Sequence, residues 1–225
     1  MTEKVEYYIR GGVSIKVVGK IDVDGKRTGT WKEYYPNGQL SCHCQYDKNL
    51  LNGEYRKYYD NGNLDMVCNY NKGKLDGLYQ LYHENGQLNR QYTLVDGRYN
   101  GYCECYYESG NLRYEGMYKN GYSDGEWKYY FDTPGKKIWI IEYYSEEYRS
   151  GPWKEYNING GLIVLGQHTK YGKGGDWYYY NNHGQVIEKY VYQSNKIKRW
   201  TLYGDNGQVI IDLSEDDYKR YKKLI

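Results

Sequence analysis

Gly29-Thr30-Trp31-Lys32-Glu33-Tyr34-Tyr35-Pro36-Asn37-Gly38-Gln39-Leu40 is a pattern that the chain writes eight times. Reduced to Gly-x-Trp/Tyr-x-x-Tyr-x-x-Asn-Gly-Gln-Leu, it restarts at Gly53, Gly77, Gly101, Gly125, Gly151, Gly175 and, degenerately, Lys198, a step of 24 residues with small lapses. A second glycine follows nine residues on, at Gly38, Gly62, Gly86, Gly110, Gly160, Gly184 and Gly207; the fifth unit, with Gly135, carries one extra turn residue. A Tyr five places after the first glycine recurs in every unit, from Tyr34 and Tyr58 to Tyr180 and Tyr203. A fixed period of this length marks stacked supersecondary units.

Each unit reads as a β-hairpin. After the second glycine, Leu40, Cys42, Cys44 and Tyr46, then Leu64, Met66, Cys68 and Tyr70, alternate with polar residues, the period of a half-buried strand. The x-Asn-Gly between the strands supplies a residue that takes the left-handed conformation a tight turn requires. Two turns compete. A two-residue Asn-Gly turn puts Trp31 and Tyr35 on the face of Leu40. A three-residue Pro-Asn-Gly turn with a glycine bulge puts Tyr34 there instead, and Pro36 at the first turn position favours it. On that register the Tyr34 and Leu40 columns are buried together. The opposite face then carries Trp31, Tyr55, Tyr79, Cys103, Trp127, Trp153, Trp177 and Trp200, flanked by Tyr35, Tyr59, Tyr107 and Phe131. Polar, glycine-rich segments such as Asn71 to Asp76 return the chain to the next hairpin, so successive hairpins pair antiparallel.

Composition agrees with an all-β chain. There is no Ala, 28 Gly, 3 Pro, and 34 Tyr with 6 Trp, poor material for helices and good material for strands. Leu, Ile, Val and Phe together fall below a fifth of the residues, and the aromatics take their place. Residues 1–28 read as a partial leading unit, because Tyr7-Tyr8-Ile9-Arg10-Gly11 echoes Tyr34-Tyr35-Pro36-Asn37-Gly38 and Val13 to Val17 alternates like a strand. Residues 29–213 are the repeat array. Residues 214–225 read as a helix capped by Ser214, acidic in its first turn and basic in its last (Lys219, Arg220, Lys222, Lys223), with Tyr218, Tyr221, Leu224 and Ile225 as its apolar stripe. It is expected to lie over the last hairpin as a lid; the alternative is a docking helix for a membrane or partner.

Chemistry is sparse. Cys42, Cys44, Cys68, Cys103 and Cys105 lie near His43, but hairpin spacing keeps them from converging within the roughly 2.3 Å that zinc needs of each ligand. They read as small buried side chains with free thiols, as in a reducing compartment. His43, His83, His168 and His183 sit in different units without a nucleophile at a shared position, and recurrent carboxylates such as Glu33 and Glu155 read as solvated charge. The glycines are spaced for turns, with no phosphate-binding loop. No catalytic residue, metal site or cofactor is expected. A formal net charge of +2 with interspersed signs argues against a nucleic-acid partner. The apolar runs are far short of the roughly 20 residues that span a bilayer, and residues 1–12 do not resemble a secretion signal, so a cytoplasmic location is expected.

Gly29 to Leu40 and Gly125 to Tyr130 resemble MORN repeats, in the variant with Tyr-Tyr-x-Asn-Gly-Gln-Leu known from antitoxin-like arrays. The resemblance covers roughly residues 29 to 212. It implies an elongated single antiparallel sheet of about eight stacked hairpins and a non-enzymatic role as scaffold, adaptor or binding module; related arrays have been linked to membranes, cytoskeletal assemblies and the proteomes of large DNA viruses. In the last three units Asn157, Asn181 and Gly204 replace the second Tyr, and Lys198 replaces a glycine, which breaks a uniform stripe. The leading expectation is a scaffold that binds a protein partner or itself. A second is carbohydrate or choline recognition by the aromatic column Trp31, Tyr55, Tyr79, Trp127, Trp153, Trp177 and Trp200. A third is lipid-headgroup binding by the basic terminal helix.

Overall fold

The structure, a computed structural model, describes residues 1–10 and 13–224. Gly11 of the leading echo and Ile225 of the expected stripe lie outside the described residues. The chain divides into two compact units, one of residues 1–111 and 118–121, the other of residues 112–117 and 122–225.

The first unit holds β1 (Thr2–Arg10), β2 (Val13–Ile21), β3 (Arg27–Tyr34), β4 (Leu40–Asp47), β5 (Leu50–Tyr58), β6 (Leu64–Asn71), the short β7 (Lys74–Leu75), β8 (Gly77–Tyr82), β9 (Leu88–Val95) and β10 (Arg98–Tyr106). β11 (Leu112–Lys119) is shared between the units. The second unit continues with β12 (Tyr122–Tyr130), β13 (Ile138–Ser145), the short β14 (Tyr148–Arg149), β15 (Gly151–Tyr156), β16 (Leu162–Thr169), β17 (Gly172–Tyr180), β18 (Val186–Gln193), β19 (Lys196–Tyr203), β20 (Val209–Ser214) and the one described helix, α1 (Glu215–Tyr221). The fold is all-β, built from antiparallel hairpins as the repeat predicts. The leading residues form a β1–β2 hairpin that pairs with β3. No described helix is long and apolar enough to cross a membrane.

The hairpin turn is the three-residue one. Tyr35 N donates to Gln39 O at 2.8 Å, Gly38 N donates to Tyr35 O at 2.9 Å, and Gly38 has φ +85°. Tyr34 therefore pairs with Leu40. The reading of the faces needs a correction. One step further along, Glu33 pairs with Cys42, so Ser41 is left over as a second bulge. Because side chains alternate, one extra residue on a single strand exchanges the faces. Trp31 consequently stands opposite Cys44, and the tryptophan column shares the face of the Cys42–Cys44 series. The same shift recurs at Tyr58, Tyr82, Tyr130, Tyr156, Tyr180 and Tyr203. That shared face is the core, whereas in the first unit the opposite face carries Lys32, His43 and Arg56 in register.

Core packing follows from the shift. In the first unit Val17, Trp31, Cys42 and Cys44 form a buried cluster, with Ile15, Ile21, Tyr46, Leu51 and Tyr55 packed against it. Trp31 is 1% exposed, and its Nε1 donates to Lys20 O at 3.1 Å. All five cysteines are buried with free thiols, and burial pushes the Cys68 thiol up to about 11.

The residues that define the repeat bind one unit to the next. Tyr35 Oη donates to Tyr58 O at 2.6 Å and Tyr59 Oη to Tyr82 O at 2.8 Å. Asn61 and Asn85 amides reach Glu84 O and Glu108 O at 3.1 and 2.9 Å. Where Asn replaces the second Tyr, the bond becomes local: Asn157 Oδ1 accepts from Asn159 N and Gly161 N, and Asn181 Oδ1 from His183 N and Gln185 N. At the other end of the hairpins, two-residue turns such as Lys48–Asn49 (φ 47° and 71°) connect the units.

α1 is capped as expected, with Ser214 Oγ accepting from Asp217 N. Tyr218 and Tyr221 lie 5.5 and 5.4 Å from the Trp200 ring, so the helix covers the last hairpin. The expected stripe stops there: the helix ends at Tyr221, Lys222 and Lys223 fall beyond it, and Leu224 is 84% exposed.

Candidate binding cleft

The aromatic column expected to be a binding stripe is largely interior. Trp31, Trp127, Trp177 and Trp200 are 6% exposed or less, while Tyr55, Tyr79 and Trp153 are half-buried. Three of the indoles lie on glycines of the preceding strand. A Cβ at Gly19, Gly116 or Gly166 would overlap the ring of Trp31, Trp127 or Trp177. Trp177 Nε1 also donates to Gln167 O at 3.2 Å. These rings are spent on packing.

In the second unit the column gathers charge. Glu142, 2% exposed, pairs with Trp127 across the β12–β13 hairpin, in the place that Cys44 holds opposite Trp31. Its carboxylate takes Arg149 Nε at 2.7 Å and Tyr144 Oη at 2.9 Å. Arg149 Cζ lies 5.5 Å from the Trp153 ring, and Lys173 Nζ 4.0 Å from that of Trp177. His168 stands edge-on between Trp153 and Trp177, at 5.5 and 5.1 Å. Burial holds its imidazole below the ordinary value, helped by Arg149 and Lys173. Burial likewise lowers the Lys173 ammonium.

Beside this row the stacking of turns is interrupted. At most junctions a turn amide donates to a carbonyl 22 residues earlier: Gly73 N to Leu51 O (2.8 Å), Gly97 N to Leu75 O (2.9 Å) and, in the second unit, Asn195 N to Lys173 O (2.9 Å); among the described residues the amides of Glu147 and Tyr171 make no such bond. The equivalent amide is that of Tyr171 and the equivalent acceptor is Arg149 O. Tyr171 N instead donates to Thr169 Oγ1 at 3.2 Å. The reason is local. Gly73 and Gly97 take positive φ at this position, whereas here the glycine comes one residue later, at Gly172 (φ 99°). A cleft of about 660 Å³ opens between Ser145–Gly151 and Gln167–Tyr171.

With this geometry the repeat can be matched to a known family. The model of the MORN repeat variant matches residues 27–48, 51–72, 75–96 and 99–120. Residues 27–120 are four MORN repeats. Each matched segment runs from one connecting turn through a hairpin to the next, so the unit of the family is the hairpin with its return strand. The later MORN-like units keep the hairpin and the double bulge with altered loop residues. No curated protein matches the chain. A porin-like protein of Bacteroides uniformis is similar over 94% of this chain and 93% of its own, at 10% identity and a TM-score of 0.20, too weak a likeness to carry an argument.

The expected column is therefore interior at Trp31, Trp127, Trp177 and Trp200 and half-buried at Tyr55, Tyr79 and Trp153. The cleft went unread in the sequence, although it had a signal: Thr169-Lys170-Tyr171-Gly172 departs from Asn71-Lys72-Gly73-Lys74 by the place of its glycine. Among the described residues no group of three His, Cys, Asp or Glu side chains is arranged to hold a metal ion.

Proposed function

We propose that this chain is a non-enzymatic interaction module that engages a protein partner, or a second copy of itself, through strand edges. The observation that carries this reading is that β1 pairs with β2 alone and β20 with β19 alone among the described pairings. Each outer strand thus presents unspent N–H and C=O groups. Apolar side chains accompany them, with Val5 and Tyr7 49% and 68% exposed on β1, and Val209 and Ile210 56% and 57% exposed on β20. An extended segment adds to such an edge by main-chain hydrogen bonds, and the side chains select it. MORN repeats serve generally as interaction modules, which supports the reading. Free buried thiols favour a reducing compartment such as the cytosol.

The test is affinity capture from the native host together with light scattering over a range of concentrations, on the parent chain and on Tyr7→Lys and Ile210→Lys. A charge on an edge strand blocks strand addition. The reading expects a partner, or self-association, that one of these variants abolishes while the fold persists. A chain that stays monomeric and captures nothing sensitive to either substitution would overturn it.

A further inference from the structure

The cleft in the second unit is chemically unlike the rest of the surface. Tyr148 and Tyr171 stand on its two sides, 52% and 66% exposed. Tyr148 opens β14 and Tyr171 lies in a turn, and both rings are flat apolar surfaces; Lys170 Nζ lies 5.1 Å from the Tyr171 centroid. Between them lie Ser145, Ser150 and Gln167. None of these three side chains makes a hydrogen bond within the chain among the described residues, so hydroxyl and amide groups of both donor and acceptor character remain unspent. Formal charge at the lining cancels, since Glu146 and Lys170 are opposite in sign and the third titratable group, His168, is kept neutral by its half-buried place near Arg149 and Lys173. Arg149 itself is engaged by Glu142.

A ligand complementary to this lining is uncharged, rich in hydroxyl groups, and has a flat C–H face to lay against a tyrosine ring. A cavity of about 660 Å³ has the volume of a small-molecule site. A phosphate or sulfate would find one exposed lysine beside a glutamate and would meet no enclosed cation. A hydrophobic peptide would leave the serine and glutamine groups unpaired, at a cost.

We propose that this cleft binds a neutral saccharide, with one sugar ring stacked on Tyr171 or Tyr148 and its hydroxyls held by Ser145, Ser150 and Gln167. The site is separate from the strand edges β1 and β20, so it stands or falls independently of the interaction reading.

The test uses the full chain against immobilised neutral oligosaccharides of gluco-, manno-, xylo- and N-acetylglucosamine series, with sialylated and sulfated glycans as charged counterparts, followed by calorimetry on the sugars retained. At least one neutral oligosaccharide is expected to bind. Tyr171→Ala or Tyr148→Ala should weaken it about tenfold, the worth of one ring contact, and Gln167→Ala to a smaller degree. Tyr122→Ala, an equally exposed tyrosine at 52% away from the cleft, should bind as the parent does, and melting curves of all variants report that the fold persists. Three results would overturn the proposal: no neutral glycan retained, retention of charged glycans alone, or binding that neither cleft tyrosine affects.

Discussion

The indole of Trp177 lies flat on the α-carbon of Gly166, one strand back, closely enough that a β-carbon on that glycine would occupy the space of the ring. Gly19 with Trp31 and Gly116 with Trp127 repeat the arrangement. Glycine in a strand interior usually weakens it. Here its bare backbone is the surface on which the largest side chain is seated.

Gly166→Ala is accordingly expected to destabilise by about 1–3 kcal/mol, the range for overpacking, although alanine has the higher strand propensity. Trp177→Ala should cost about 3–5 kcal/mol. Combined with Trp177→Leu, Gly166→Ala should cost much less than it does alone, because the ring it collides with has gone. Urea unfolding of the four chains of this cycle measures the coupling, and strict additivity would contradict the packing described.

Tyr35→Phe and Tyr59→Phe each remove one inter-unit hydrogen bond, to Tyr58 O and Tyr82 O. Each should lower stability by about 1 kcal/mol. The two bonds share no atom, so the double variant should lose close to the sum. Tyr203→Phe, in the unit whose next position is Gly204, removes a hydroxyl outside this ladder and should cost less. Denaturant midpoints would decide it.

Glu142 and Arg149 are unequal partners. The carboxylate side chain is 2% exposed and the guanidinium side chain 51%. Removing the arginine strands a buried charge, whereas removing the charge from the glutamate leaves an arginine that water can still solvate. Arg149→Ala is therefore expected to cost about 2–3 kcal/mol, below the full penalty for a wholly buried pair. Glu142→Gln, which keeps an acceptor for Tyr144 Oη, should cost about 1 kcal/mol. The order of the two melting temperatures is the reading; the reverse order would mean that the carboxylate is not stabilised by Arg149.

Alkaline pH should unfold the chain. Burial raises Tyr192 from 10.0 to about 12, and Tyr129, Tyr92 and Tyr190 are raised further, with burial the largest cause in each. In the unfolded chain these phenols ionise near 10, so the folded state binds more protons above that pH. The stability they contribute is whole below pH 10 and is lost as pH rises through the folded values. Tyrosinate absorbance should therefore rise in two phases, the later one coincident with loss of the strand signal in circular dichroism. A single phase near the ordinary value would show these rings to be solvated.

Much of this architecture is written locally, and the portion that is not has a clear physical cause. The period of 24, the turn at Pro36-Asn37-Gly38, the Tyr34–Leu40 pair and the Ser214 cap all depend on residues within a few places of one another. The faces do not. Whether Trp31 is inside depends on Ser41, a single unpaired residue whose side chain is no rarer in a regular strand, and a glycine bulge followed by a second bulge restores the alternation that a glycine bulge alone reverses. Tyr35 and Tyr59 read as flanks of an aromatic stripe, and Asn61 and Asn85 as turn residues, because a sequence does not reveal that their side chains reach main-chain carbonyls one repeat away. The cleft was hidden for a related reason. It arises where a glycine is displaced by one residue, from Gly73-like to Gly172, and it becomes visible only when the missing Tyr171–Arg149 bond is compared with its counterparts.

That the tyrosine hydroxyls end on carbonyl oxygens has a genetic corollary. A carbonyl is the same in every residue, so the donor in one segment places no demand on the identity of the side chains in the segment that receives it. Copying or deleting a stretch of coding sequence one period long would leave each junction as well joined as before. Surface residues would then be free to diverge after each copying event, which gives such a chain a route to new binding surfaces without redesign of its interior.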